Sequence, residues 1–318
     1  MALYSIVVPV YNSETMLPLL YERISNVFEN MIKEQFEIIF VDDCSIDNSY
    51  RVICELRKKD SRVKGIQLAV NHGQQKAVMC GFSFITGDYV ITMDDDLQHP
   101  PEEIPKLIYK MNSSNDIDVV IGSYDSKKHG PIKIFGTKMM DLLSDLIYRK
   151  PRSLSITSFR LIKRYVIDNL NNIAVSRPMI GPLILQTTKR IVNVTVQHDE
   201  RYYGKSGYTF IKLCRAFFDN MITNSDLPLK AIGWVGLISF LISIILVLKF
   251  VLDYFIHGTS FKGWTSTIVV ILFFGGVILF AIGILGRYLT SIMLETKKYP
   301  KFLVRRKDID IDNESIRS

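Results

Sequence analysis

Residues 89–103 read YVITMDDDLQHPPEE, and this stretch decides the fold. Five mostly apolar, β-prone residues come first, three aspartates follow, and two prolines then end regular structure. Three adjacent carboxylates repel one another, and the end of a strand gains no packing energy from them. A hard divalent cation such as Mg²⁺ or Mn²⁺ resolves the repulsion, because it takes carboxylate oxygens and keeps positions open for substrate phosphates. The stretch predicts a metal site after a buried strand, with a solvated acidic turn as the alternative.

The spacing of the three aspartates suggests that they have different roles. In an extended segment, Asp94 and Asp96 point to the same side while Asp95 points away. This alternation predicts two metal ligands, Asp94 and Asp96, and one bystander.

Outward from this stretch, the first 125 residues alternate apolar strand patterns with helical ones. Near-continuous apolar strands between helices predict a mostly parallel sheet covered on both faces, which is a Rossmann-like α/β fold. Ligands of such sheets bind beyond the carboxyl ends of the strands, where three polar clusters fall: 11–12, 42–43 and 94–96. We therefore expect a nucleotide-binding domain. The predicted strands are 4–10, 36–41, 63–68, 89–93 and 118–121, and the predicted helices are 13–34, 47–59 and 74–86.

The second half of the chain has a different composition. Every residue from 231 to 248 is apolar, glycine or serine, and a second apolar run covers 265–285. About 20 apolar residues suffice to cross a bilayer, so we expect two transmembrane helices, at about 231–252 and 265–287. Buried core helices are the alternative, but these runs lack a polar face. Basic residues flank both runs on the side away from their short connection, which predicts a hairpin with both flanks in the cytoplasm.

These patterns predict four regions. A cytoplasmic catalytic domain at 1–209 precedes a juxtamembrane amphipathic helix at 210–229, the transmembrane hairpin at 230–289 and a basic cytoplasmic tail at 290–318. The stripe of apolar residues in 210–221 is typical of an interfacial helix, although core packing also explains it, and 133–149 is a second candidate. The basic residues of the tail have two explanations: they act only as a topology signal, or they also attract anionic lipid headgroups.

The composition argues against two classes of function, nucleic-acid binding and zinc binding through cysteines. The 318 residues are 48% hydrophobic and carry a net charge of +7. The basic residues cluster in the sequence beside the apolar runs rather than along a groove lined with aromatic residues. This distribution argues against nucleic-acid binding. The four cysteines show no CxxC or zinc spacing, as expected of structural thiols in a reducing compartment.

Several motifs resemble those of a known family. The segments 7–12 (VVPVYN), 41–49 (VDDCSIDNS) and 93–102 (MDDDLQHPPE) resemble the GT-A, family 2 inverting glycosyltransferases. The segments 200–206 (ERYYGKS) and 283–289 (GILGRYL) are similar to the polyprenyl-phosphate group of that family, which includes dolichol-phosphate mannose synthases and bactoprenol glucosyltransferases. The resemblance covers roughly residues 3–305.

The resemblance implies a reaction and a location. A sugar would pass, with inversion, from a nucleotide sugar (a UDP-sugar such as UDP-glucose) to a polyprenyl phosphate such as undecaprenyl phosphate. The product would donate sugar for cell-envelope glycan modification. The enzyme would require Mg²⁺ or Mn²⁺. It would lie in the cell membrane with both termini in the cytoplasm. The resemblance leaves open whether the enzyme forms a homo-oligomer. Because a lipid phosphate is already anionic at neutral pH, we assign no general base.

The resemblance also implies roles for individual residues. Asp43 would hydrogen-bond base or ribose, with a helix-capping role as the alternative. Arg201 would bind donor or acceptor phosphate, with an ordinary surface arginine as the alternative. The implied sets are catalytic Asp94, Asp96 and Arg201; nucleotide-sugar-binding Pro9, Tyr11, Glu14, Val41, Asp43, Asp95 and Gln98; phosphate- or acceptor-binding Lys133, Ser158, Arg160, Arg201 and Lys205; and metal-binding Asp94, Asp96 and Gln98.

The chain departs from the family pattern near the sugar and the acceptor. A stretch that often ends in Asp-Phe-Arg reads Ser158-Phe159-Arg160 here, and Tyr124 stands where arginine is common, so Lys133 or Lys138 would supply that charge. Two alternatives stay open. A polymer-extending transferase of the same superfamily usually carries Gln-x-x-Arg-Trp, whereas the only tryptophans here are Trp234 and Trp264. A membrane-tethered pseudoenzyme that binds a lipid or partner is the other.

Overall fold

The computed structural model describes residues 2–124, 154–173, 178–197, 199, 227–257, 263–296 and 300–309. The chain divides into two compact units. The first, here called the front unit, comprises residues 1–206 together with 299–318. The second, the helical unit, comprises residues 207–298.

An eight-stranded sheet forms the centre of the front unit, in the order β7-β5-β6-β4-β1-β2-β3-β8. The four adjacent strands β4, β1, β2 and β3 are mutually parallel, so their carboxyl ends lie at one edge. Three further pairings are antiparallel: β3 with β8, β4 with β6, and β5 with β6. The last pairing, between β5 and β7, is parallel. The strands are β1 Leu3–Val10, β2 Gln35–Asp42, β3 Val63–Leu68, β4 Tyr89–Thr92, β5 Val119–Ser123, β6 Arg160–Lys163, β7 Ile191–Thr195 and β8 Val304–Asp308.

Helices cover both faces of this sheet because alternate strand residues point to opposite sides. Ile6 and Val8 of β1 belong to a core with α1, α2 and α4, whereas Val7 belongs to a core with α3, α5 and α6. The result is a three-layer α/β/α arrangement. The helices are α1 Leu17–Asn26, α2 Ser49–Lys59, α3 Gln74–Phe82, α4 Ile104–Asn112, α5 Arg164–Asn172 and α6 Ile180–Thr187, with a π-helical turn at Val27–Ile32 and a 3₁₀ turn at Pro101–Glu103.

The expected α/β fold is confirmed, and four of the five predicted strands agree to within one residue at each end. The predicted helix 13–34 is shorter, since α1 begins at Leu17 and passes into a π-helical turn before Lys33 adopts a left-handed backbone (φ 58°). The sheet is mostly parallel, as expected, and β6 and β8 add antiparallel pairings to it. β6, β7 and β8 have only four or five residues each, and they fall outside the strand–helix alternation that revealed the others.

The C-terminal segment departs from the expected tail. β8 pairs antiparallel with β3, and Phe302, Val304 and Ile309 pack against the second core. The basic residues 305–307 therefore lie on an edge strand of the sheet. Charged side chains on an edge strand also prevent pairing with a further chain.

The helical unit contains two long helices, α7 (Leu227–His257) and α8 (Trp264–Thr296). Within the described residues, one window, Phe273–Thr290, is long and apolar enough to cross a membrane, and none of it is buried. A shorter apolar stretch covers Pro228–Ser239. Both expected spans fall inside these helices. Residues 210–226 of the expected juxtamembrane helix, and the second candidate at 133–149, lie outside the described residues.

A buried polar network fastens the amino-terminal halves of the central strands. Glu37 on β2 is 6% exposed, and its Oε1 accepts hydrogen bonds from Ser5 Oγ (2.6 Å) and the Thr86 N–H (2.7 Å). Lys64 on β3 forms an ion pair with Glu37 Oε2. Burial alone would raise the pKa of the Glu37 carboxyl, but these partners outweigh burial and lower that pKa below its ordinary 4.5.

We expect Glu37→Gln to lower the free energy of unfolding at pH 7 by about 3 kcal/mol, because the substitution leaves the mostly buried Lys64 without its charge partner. A depressed folded-state pKa stabilises the fold above the unfolded pKa, and this contribution is lost as pH falls through the folded pKa. The difference between the variants should therefore shrink in acid. Denaturant unfolding at pH 7 and pH 3 measures it, with the exposed Glu55→Gln as control. Equal effects of the two substitutions would contradict this role.

Candidate functional site

A cleft of about 270 Å³ opens at the carboxyl ends of β1, β2 and β4. The three polar clusters that follow these strands meet there, as the sequence predicted. Two further contributions come from the loop between β3 and α3. The lining residues are Pro9, Val10, Tyr11, Asp43, Asn71, Gly73, Gln74, Asp94, Asp95 and Asp96.

The loops around the cleft are held in uncommon backbone conformations. Asn12, Cys44 and Leu97, which lie just beyond the ends of β1, β2 and β4, have positive φ values of 54°, 61° and 57°. Left-handed backbone is unfavourable for most side chains and concentrates at functional sites. Asn12 also joins two of these loops, since its N–H donates to Ser45 Oγ (3.0 Å) and its Oδ1 accepts from the Ile46 N–H (2.8 Å).

Asp94 is oriented by two neutral donors. Its Oδ2 accepts a hydrogen bond from Ser158 Oγ (2.7 Å), and its Oδ1 accepts one from Gln74 Nε2. Burial raises the pKa of the Asp94 carboxyl; the Ser158 hydrogen bond opposes this shift and the charge of Asp96 adds to it. A carboxylate held in this way keeps a fixed direction at the mouth of the cleft.

Asp95 turns toward the first loop. Its Oδ2 accepts hydrogen bonds from the Tyr11 N–H (3.2 Å) and from Ser13 Oγ. Burial, assisted by the negative charges of its two neighbours, raises the pKa of the Asp95 carboxyl to about 6. The three acids lie in a turn beyond β4, so the strand alternation that we used does not apply. All three carboxylates accept hydrogen bonds from their own chain, so the division into two metal ligands and one bystander stays a prediction.

Asp96 completes the acidic turn and lines the cleft. Its Oδ1 accepts a hydrogen bond from the Gln98 backbone N–H (3.2 Å), and the Gln98 carbonyl accepts one from the Asp199 N–H (3.0 Å). Gln98 thus contacts Asp96 through its backbone. Its predicted role as a metal ligand stays a prediction.

Asp43 anchors the β3–α3 loop. Its two carboxylate oxygens accept hydrogen bonds from the His72 and Gly73 N–H groups, both at 2.7 Å. Gly73 has φ +86°, a conformation that favours glycine. Burial raises the pKa of the Asp43 carboxyl despite these bonds. Asp43 lines the cleft, and in this structure it holds a loop instead of capping α2.

Two residues expected to contact the nucleotide have other neighbours in this structure, and their nucleotide contacts stay predictions. Val41, near the carboxyl end of the central strand β2, is 0% exposed and packs in the core with residues of α3. Glu14 bridges loops: its Oε2 accepts a hydrogen bond from the Asn48 N–H (2.8 Å), and its own N–H donates to Asp47 Oδ2 (3.1 Å). Pro9 and Tyr11, by contrast, do lie in the cleft.

The expected phosphate ligands Ser158 and Arg160 face inward. Ser158 donates to Asp94, and Arg160 on β6 is 6% exposed. Burial lowers the pKa of the Arg160 guanidinium to about 10, and the charge of Asp94 opposes that shift. Arg160 therefore acts here as a buried countercharge to the acidic turn, while its Nε has no hydrogen-bond partner among the described residues. Lys133, Lys138, Arg201 and Lys205 lie outside the described residues.

The sequence reading missed four residues that shape the site. Ser13 and Gln74 orient aspartates of the turn, and Asn71 and Gly73 line the cleft. A signal was present in the stretch 71–75, NHGQQ, because glycine and amides sit there between a strand and a helix, at the same sheet edge as the acids.

Comparison with known proteins places this geometry in a family. Solved structures of glucosyl-3-phosphoglycerate synthase from Mycobacterium tuberculosis share the fold. The complex with Mn²⁺, UDP and glucosyl-3-phosphoglycerate has a TM-score of 0.53 at 15% identity, over 70% of this chain and 80% of that chain. The complex with Mn²⁺ and UDP-glucose has a TM-score of 0.51 at 16% identity, over 70% of this chain and 79% of that chain.

The model of the family named Glycosyl transferase family 2 matches residues 5–170, which is more than half of the chain. The matched segment contains β2 to β6, all of β1 except its first two residues, and the acidic turn. The chain therefore belongs to glycosyl transferase family 2, and its front unit has the GT-A fold.

Proposed function

We propose that this family 2 glycosyltransferase, which takes its sugar from a nucleotide-sugar donor, passes that sugar to a polyprenyl phosphate at a membrane. The observation that carries the proposal is the combination, in one chain, of an acid-lined transferase cleft and an 18-residue apolar helical window of which none is buried. An exposed apolar window of this length would hold the enzyme at a bilayer. A lipid acceptor requires the enzyme to work at a bilayer surface.

UDP-glucose is the donor that we favour. The two solved structures compared above contain UDP or UDP-glucose, each with Mn²⁺. In this chain, Tyr11 is 47% exposed and lies at the cleft beside Asp43. An exposed aromatic ring next to hydrogen-bonding groups suits a nucleoside.

The donor set of the cleft fits a divalent cation that arrives with the diphosphate. Within the described residues, no group of three or more acidic, histidine or cysteine side chains is arranged to hold a metal by itself. Mg²⁺ is commonly bound by one or two carboxylates together with substrate phosphates, which matches Asp94 and Asp96 at the cleft. Such a cation would neutralise the negative charge that develops on the leaving nucleoside diphosphate.

The acceptor phosphate needs positioning more than activation. A phosphate oxygen attacks the anomeric carbon, the bond from that carbon to the nucleoside diphosphate breaks, and the leaving group takes the electron pair. Attack opposite the leaving group inverts the configuration. No proton must be removed from an anionic phosphate, so Ser158 in place of a family acid is compatible with the reaction. Arg201, Lys133 and Lys205 remain our candidates for holding the acceptor phosphate.

The proposed location follows from the helices. α7 and α8 would cross the cell membrane as a hairpin, with the front unit and both termini in the cytoplasm. The front unit contains both residues 1–206 and residues 299–318, one part on each side of the helical unit in the sequence, which supports a hairpin that returns to the side it left. The 18-residue window in α8 supports one span directly, and α7, at 31 residues, is long enough for the other. A homo-oligomer is compatible with this arrangement.

We expect purified enzyme with UDP-glucose to glucosylate undecaprenyl phosphate and to leave 3-phosphoglycerate unmodified. Mass spectrometry of the products, with dolichyl phosphate and other nucleotide sugars as parallel arms, identifies both substrates. If the enzyme glucosylates 3-phosphoglycerate but neither lipid phosphate, the proposal of a lipid acceptor is wrong. Transfer to a growing glycan, or no transfer with any donor, would favour the polymer-extending or pseudoenzyme alternative.

We expect Asp96→Ala to reduce kcat for sugar transfer by roughly 10²- to 10³-fold, the size of an important electrostatic contribution to the transition state. The loss should occur with unchanged thermal unfolding, because Asp96 lies at a cleft rather than in the core. Asp116→Ala is the matched control, since the Asp116 side chain is 83% exposed on the surface. Undiminished transfer by the Asp96 variant would refute the role of the acidic turn.

A further inference from the structure

The segment 300–309, which follows α8, reaches the loop that borders the nucleotide cleft. This C-terminal segment pairs with β3 through β8, and its Leu303 carbonyl accepts a hydrogen bond from the Ala69 N–H (2.7 Å). The Leu303 N–H donates to the ring atom Nε2 of His72 (3.3 Å). Lys301 adds a hydrogen bond from its Nζ to the Asn171 carbonyl (2.8 Å). The segment is thus fixed on both sides of Leu303.

His72 bridges this segment and the cleft. Its ring accepts from Leu303, while its backbone N–H donates to Asp43 Oδ1 (2.7 Å). An imidazole accepts at Nε2 only when that nitrogen carries no proton. Burial, together with the charge of Lys76, lowers the pKa of the His72 imidazole, which favours the neutral ring that this hydrogen bond needs. Both hydrogen bonds are therefore available under ordinary conditions.

The residues on either side of His72 complete a connected set. The Gly73 N–H donates to the other oxygen of Asp43, and Gln74 donates to Asp94. Asn71, Gly73 and Gln74 themselves line the cleft. A shift of this loop would move donors away from two of the acids at the same time. The position of His72 thus affects both the Asp43 side and the Asp94 side of the site.

A surface loop that must be ordered on ligand binding weakens affinity, because the ordering entropy is lost at that moment. A loop already held by its surroundings avoids this loss. The Leu303–His72 hydrogen bond joins residues 231 positions apart in the chain, so nothing local to the loop replaces it. Nucleotide affinity is the property that should respond.

We propose that His72 is a positioning residue for the nucleotide-sugar cleft and that the C-terminal segment, through the Leu303 N–H, holds it in place. This role rests on the proposed function in one respect: it assumes that the ligand of the cleft is a nucleoside diphosphate. It assigns to the segment after the second long helix a part in donor binding, although that segment lies beyond the family match at 5–170.

The test compares two substitutions of His72 in the full-length protein in detergent. Isothermal titration with UDP and Mn²⁺ at pH 7.5 should show roughly three- to tenfold weaker binding for His72→Phe, as expected for one neutral hydrogen bond. His72→Gln should stay close to wild type, because its Oε1 can accept from the same N–H. In turnover assays, KM for the nucleotide sugar should rise for His72→Phe while kcat changes little. A merely structural defect would not be rescued by glutamine.

Leu303 provides an independent variant at the other end of the hydrogen bond. Leu303→Pro removes the N–H on an edge segment, where proline is tolerated, and should weaken UDP binding as much as His72→Phe. Leu303→Ala keeps the N–H and should bind as wild type, since this side chain is 49% exposed. The double variant His72→Phe/Leu303→Pro should be no weaker than either single variant.

The outcomes separate this inference from the proposed function. Wild-type affinity in both His72→Phe and Leu303→Pro would overturn the positioning role and leave the function standing. Additive losses in the double variant would also overturn it, because the two residues would then act separately. Failure of the wild-type protein to bind any nucleoside diphosphate would overturn the proposed function and this inference together.

Discussion

The repulsion among Asp94, Asp95 and Asp96 is the constraint on which the rest of the site depends. Three carboxylates at one turn cannot point the same way without a partner for each. The structure separates them by giving each a different donor: Ser158 and Gln74 for Asp94, Tyr11 and Ser13 for Asp95, and the Gln98 backbone for Asp96. The turn therefore gathers segments that lie far apart in sequence.

The parallel centre of the sheet makes that gathering possible. Because β4, β1, β2 and β3 run in the same direction, the loops that follow them open at one edge. The second loop is tied to the first through Asn12, and the third is tied to the second through Asp43. Behind the turn, buried Arg160 provides positive charge in a region of low dielectric. Because the three carboxylates and the buried arginine are held in fixed positions, the site can receive a diphosphate and its cation with little rearrangement.

The sequence predicted most of the central fold because its signals were local. β3 was predicted residue for residue at 63–68, and the acids fell at the strand end where they are found. The remainder depended on long-range contacts. Val41 carries no local sign that it faces the core rather than the cleft, and the basic residues 305–307 resemble a tail until their pairing with β3 is seen. The partners of Asp95 are likewise 82 and 84 residues away, beyond the reach of any pattern within the motif.

The central claim is that the acidic turn, at the edge of a transferase fold that also carries an apolar helix, binds a divalent cation together with a nucleoside diphosphate. Anomalous diffraction at the manganese edge, from crystals grown with Mn²⁺ and UDP, tests this claim most directly. We expect one anomalous peak within coordination distance of the Asp96 carboxylate and of the diphosphate oxygens. UDP bound in the cleft with no manganese at the turn, or manganese bound elsewhere, would contradict the claim.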